Sequence, residues 1–185
     1  MSDELQGGPL AEVVQRRGPG AAYAGLLSLV VLTISGLVGL LLKQPWLFPS
    51  LGPTVMIFFQ SPRNAAARPL NTIVGHFVGI VVGLLCLLAV GQAGHPSAPV
   101  AGLNPQYLIA GVLSVGITTA VLTLVHLPHP PAGATTLIVS LGILQGAPAL
   151  LSMAGAIVLI TVLGWAADRL LLGRPPQEAG AGPQT

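Results

Sequence analysis

The sequence predicts an all-α membrane protein: a helical bundle of four long spans and two short broken spans, arranged as an inverted 3+3 repeat. Three observations carry that expectation. Charged residues make up 6% of the 185-residue chain and apolar residues 52%, with a mean hydropathy of +0.82, whereas a soluble domain is about one quarter charged. Between Arg68 and Asp168 there is no Asp, Glu, Lys or Arg, and a water-facing surface needs polar groups over such a length. Two short segments interrupted by Pro and Gly also occupy matching places in the two halves of the chain.

Residues 1–20 carry Asp3, Glu4, Glu12, Arg16 and Arg17 and read as a polar tail. The transmembrane domain is expected over residues 21–172. Its first span, Ala21–Leu42, is too long for a cleaved signal peptide and lacks a convincing cleavage site. Asn71–Gly91, Gln106–Leu127 and Ala149–Leu172 also reach the roughly 20 residues a helix needs to cross. Tyr23, Trp46, Tyr107 and Trp165 lie near span ends, where interfacial aromatics collect. The shorter apolar stretches Trp46–Gln60 and Ala132–Gln145 each follow a Pro-containing run. Residues 173–185, rich in Pro, Gly and Gln, read as a disordered tail. The formal charge of +2 rests on too few residues for a nucleic-acid footprint, and the lone Cys86 excludes an intrachain disulfide. No cofactor and no metal are expected.

The basic residues bear on whether the short stretches cross. With a cytoplasmic N-terminus and six crossings, only Lys43 of the seven basic residues falls outside. With four crossings, Lys43, Arg63 and Arg68 all do. The excess of Lys and Arg in cytoplasmic loops favours six, with both termini cytoplasmic. A helix of about 14 residues covers only about 21 Å of a hydrocarbon core of about 30 Å. The remainder must be extended chain, which residues before Pro prefer. Irregular backbone at that depth survives only inside protein or beside a polar cavity.

An offset of 81 residues pairs Pro49 with Pro130, Gly52 with Gly133, Thr54 with Thr135 and Ile57 with Ile138. It divides the domain into repeats of about 21–91 and 106–172, each long, short, long. An odd number of crossings per repeat inverts one against the other, and interrupted helices at matching places of such repeats point to a transporter's binding site. The two half-helix starts, with Thr54 and Thr135 on them and Gly52 and Gly133 open to close approach, present unpaired N–H groups and partial positive charge to one cavity. That arrangement suits a small anion without a fixed Lys or Arg.

Asn71, Gly75 and His76 open the third crossing, and His126 and His129 flank the turn into the fifth. With no carboxylate at that depth, histidines are the side chains suited to carry protons there. His95 lies in an outer Gly- and Pro-rich loop and reads as solvated. Gly75, Gly79 and Gly83 form a small-residue face for close helix packing, within the chain or at a dimer seam.

The string His129-Pro130-Pro131-Ala132-Gly133-Ala134-Thr135 resembles the signature of the HPP family of integral membrane proteins. Ser50-Leu51-Gly52-Pro53-Thr54 followed by Asn71-x-x-x-Gly75-His76 is similar to that family's first conserved region. The resemblance covers roughly residues 22–172. It implies a four-span protein and a suspected transporter, with nitrite transport suggested by plant plastid and cyanobacterial relatives. Some members carry C-terminal regulatory CBS domains, which the tail here is expected to be too short to hold. Residues 63–70 depart from the Gln-Pro-Arg that members often carry, so no fixed arginine role is transferred.

The expected function is a membrane transporter or permease for a small anion, in the bacterial plasma (inner) membrane, and not an enzyme. The substrate-binding set is Gly52, Thr54, Asn71, His76, His129, Pro130, Pro131, Gly133 and Thr135, the partners being the anion, the lipid bilayer and a second copy in a homo-oligomer. Two other classes stand beside it: a membrane interaction or sensor subunit without transport, and a metal protein using His76, His126 and His129, since imidazoles suit zinc, copper or iron.

Overall fold

The computed structural model describes residue 10 and residues 16–173. Asp3, Glu4 and Glu12 of the expected polar tail, and the C-terminal tail from residue 174, lie outside the described residues. The described residues form α1 (Arg17–Leu42), α2 (Leu51–Gln60), a 3-10 turn (Ala65–Ala67), α3 (Pro69–Ala89), α4 (Ala98–Ala101), α5 (Pro105–Leu124), α6 (Pro131–Ser140) and α7 (Ala147–Leu171), with no strand among them. Four helices, α1, α3, α5 and α7, are long and apolar enough to cross a membrane.

Local sequence explains the boundaries. Pro69, Pro105 and Pro131 open α3, α5 and α6 at the first helical position, where the missing N–H costs nothing and φ is already set. The Asn104 side chain accepts a bond from the Tyr107 N–H at the start of α5. α1 and α5 end alike. Lys43 and His126 are the non-glycine residues with positive φ, 52° and 55°, among those described. Just beyond them the Gln44 N–H reaches the Gly39 carbonyl and the Leu127 N–H reaches the Leu122 carbonyl, both at 3.0 Å. Each long helix is thus stopped by a left-handed turn that consumes its last carbonyls.

The chain then runs irregularly through Pro45–Phe48 and Leu127–His129 before each short helix. The Leu51 N–H bonds the Phe48 carbonyl at 2.9 Å, and at the 81-residue offset the Ala132 N–H bonds the His129 carbonyl at 3.0 Å. Both short helices have 10 residues, about 15 Å of rise and half a hydrocarbon core. The second ends at Ser140 rather than the expected Gln145, because the chain turns at Gly142, whose φ is 68°. α1 begins at Arg17 rather than Ala21.

The order long, short, long therefore occurs twice. α3 packs along α6 and α5, while α7 packs on α3, α2 and α1. Lipid tails are as apolar as Leu, so helix association here depends on close fit. The glycine face of α3 supplies that fit within the chain, against α6. A β-carbon on Gly75 would lie 2.7 Å from the His129 β-carbon, one on Gly79 would lie 2.9 Å from the Ala132 carbonyl oxygen, and one on Gly83 would lie 2.8 Å from the Thr136 carbonyl oxygen. Phe48, Leu51, Val55, Phe58 and Phe59 of the α2 region pack with Ile138, Val139, Met153, Ile157 and Ile160 in one apolar core.

Candidate functional site

Close packing of α6 on α3 brings the starts of both short helices to one imidazole. His76, two turns into α3, is fully buried. Its Nε2 lies 3.0 Å from Thr54 Oγ1 of α2, and its Nδ1 lies 2.7 Å from Thr135 Oγ1 of α6. His129 Nε2 is 3.1 Å from His76 Nε2, and His129 Nδ1 is 2.8 Å from the Ala66 carbonyl oxygen. The two rings meet edge to face, with centroids 4.8 Å apart.

The partners fix the tautomers. A carbonyl only accepts, so His129 carries its hydrogen on Nδ1 and, when neutral, accepts at Nε2. Thr54 Oγ1 donates to the Ser50 carbonyl at 2.8 Å, which leaves that oxygen as an acceptor toward His76. His76 Nε2–H is therefore the donor, shared between Thr54 Oγ1 and His129 Nε2. His76 Nδ1 is then an acceptor, and the Thr135 hydroxyl donates to it. Every ring nitrogen and both hydroxyls are matched, as burial in an apolar medium demands. Leaving one such group unmatched costs about 1–3 kcal/mol.

The other expected site residues fall around this cluster. Asn71 is buried and its Nδ2 donates to the Pro128 carbonyl at 3.1 Å, tying α3 to the chain entering α6. Pro131 is buried as the first residue of α6, whereas Pro130 is exposed. Gly52 and Gly133 are half-buried, and a β-carbon built on either meets nothing within 4 Å. Both helix starts therefore keep open space beside them. The starts converge, yet on a closed set of hydrogen bonds instead of the expected open cavity, because the hydroxyls and imidazoles satisfy one another. His126 is exposed at the end of α5 and takes no part, so the three-histidine set does not assemble. His95 is exposed.

Other participants carry little sequence signal. The Ala66 carbonyl belongs to a 3-10 turn capped by Asn64, whose side chain accepts from the Ala66 N–H. Ser50 and Ser140 hold buried hydroxyls without a partner, Ser50 standing at the start of α2. Thr136 shares a bond of 3.1 Å with Thr118 of α5, next to Thr135. A separate groove of about 470 Å³, lined by Arg16, Arg17, Gly20, Ala24, Phe59 and Gln60, lies where the start of α1 meets the end of α2.

Four apolar spans, with two half-length helices meeting on a buried histidine, define a polytopic α-helical membrane protein. The chain belongs to the HPP family: the family described as HPP, transmembrane region, matches residues 19–176. It is also 30% identical, over 99 residues, to a transmembrane protein of Dictyostelium discoideum; the match covers 54% of this chain and 31% of that protein, so the chain spans about a third of that relative's length. No solved structure matches it.

Proposed function

We propose that this chain is a secondary transporter or channel-like permease for a small anion, with nitrite the substrate that the family resemblance suggests. The observation that carries it is the joining of two broken-helix starts through Thr54, His76 and Thr135, beside open space at Gly52 and Gly133. Helix starts offer N–H groups and partial positive charge to an anion, and the unpartnered Ser50 hydroxyl adds a donor at one of them. The closed cluster is the occluded form of the path, which α2 and α6 open by separating. Arg16 and Arg17 on the groove at the end of α2 concentrate anions at one mouth. The distribution of basic residues supports cytoplasmic placement of both termini, the membrane expected is the bacterial plasma (inner) membrane, and no chemical step is assigned to the chain.

Uptake of nitrite, nitrate, formate and chloride into proteoliposomes tests this. Saturable flux of at least one of them above protein-free vesicles is expected. Flux of none of them removes the transport assignment in favour of an interaction or sensor subunit.

A further inference from the structure

An anion that leaves water for the centre of this bundle meets no fixed countercharge. A lone ion in such a medium is heavily penalised, so a compensating charge must accompany it. The elements around the cluster restrict what that charge can be. α2, α6 and the Ala65–Ala67 turn contain no titratable residue; besides His76, α3 contains only Cys86, and α5 contains only Tyr107. α1 holds Arg17 and Tyr23, and α7 holds Asp168 and Arg169, all near helix ends; Arg63, Arg68 and His126 are exposed. The two linked imidazoles are the groups at the cluster able to gain positive charge.

We propose that His76 and His129 form one shared proton-binding site, and that a single proton enters it with each anion. This rests on the anion-transport assignment above. The hydrogen-bond row gives the coupling. A proton added at His76 Nδ1 sits directly between that ring and Thr135. Passing the His76 Nε2 hydrogen along its existing 3.1 Å contact to His129 Nε2 then carries the charge to His129 and leaves His76 neutral, with its hydrogen on Nδ1. In both cases His76 Nδ1 ends as a donor and Thr135 Oγ1 must accept from it. The Thr135 hydroxyl hydrogen then turns away from the imidazole and is free for an anion at the start of α6, beside the open space at Gly133. No covalent bond is made or broken beyond the proton transfers, and the added positive charge balances the anion. The 3.1 Å contact between the two Nε2 atoms leaves room for one hydrogen between them, so a second proton on the pair is opposed.

The test uses full-length protein in vesicles that trap a pH-sensitive dye, with membrane voltage clamped by potassium and valinomycin. A nitrite gradient is applied, and the nitrous-acid leak of protein-free vesicles is subtracted. The expected result is one proton per nitrite. His129→Phe, which places at residue 129 the side chain found at the offset-matched Phe48, should lower the nitrite-driven proton flux by about tenfold or more. Nitrite uptake that is electrogenic and moves no proton would overturn the shared site while leaving the anion path standing. Absence of flux for all four anions overturns the path and the site together. Nitrogen NMR of the histidines in lipid nanodiscs does not depend on flux or on any variant: the two rings should take up one proton jointly, starting from His76 Nε2–H and His129 Nδ1–H. Independent titration of the two rings overturns the site.

Discussion

Gly164 of α7 lies so close to Phe58 of α2 that a β-carbon on the glycine would come 2.5 Å from the ring. Moving 81 residues along the chain from Phe58 gives Val139, and moving 81 back from Gly164 gives Gly83. These two are also neighbours: a β-carbon on Gly83 would lie 3.0 Å from that of Val139. Each half thus offers a glycine on its third helix to the short helix of the other half. Gly164→Ala should destabilise the bundle by about 1–3 kcal/mol through overpacking. Phe58→Val, the residue of the counterpart contact, should recover most of that loss in the double variant. Unfolding in SDS titrations measures both.

Gly133 presents the opposite case. Since nothing lies within 4 Å of a β-carbon there, Gly133→Val should leave stability close to that of the parent chain. It should nevertheless abolish anion flux, because the side chain fills the approach to the start of α6. Flux that survives in a well-expressed Gly133→Val protein places the anion path elsewhere.

Thr135 supplies the hydrogen that satisfies His76 Nδ1. Thr135→Val keeps the volume and removes the donor, leaving a buried acceptor bare at a cost of about 1–3 kcal/mol. Thr135→Ser should restore most of the stability and the His76 tautomer. Thermal unfolding and histidine NMR read the two effects separately.

Topology follows from labelling. In a Cys86→Ser background, cysteines at the exposed positions Arg63 and Ala147 should react from opposite faces of the membrane, Arg63 from the cytoplasmic one. Labelling of position 63 from outside would reduce the crossings to four.

Much of this architecture was legible in residue order. Apolar length located the four spans, and Pro and Gly located both interruptions, since these residues act through local backbone geometry that needs no tertiary partner. The glycine face of α3 announced close packing. Its partner, α6, could not be read, because a small residue specifies proximity without specifying to what. His76, His129, Thr54 and Thr135 were each visible as polar residues in an apolar chain. Their mutual closure was not, as it depends on the Ala66 and Ser50 carbonyls, and backbone acceptors leave no mark in a sequence. The end of α6 at Ser140 was missed for a related reason: apolar character continues to Leu144, so hydropathy alone passes over the turn at Gly142.

The row running from Thr135 through the two imidazoles to Ala66 has no spare member. In lipid, no solvent stands ready to replace a lost partner, so a small displacement of α6 strands Thr135 Oγ1 and His76 Nδ1 together. Intermediate positions are therefore the most costly ones. The centre of this protein should behave as a latch with two settings, and single-channel or single-turnover records should contain no partial level between shut and open.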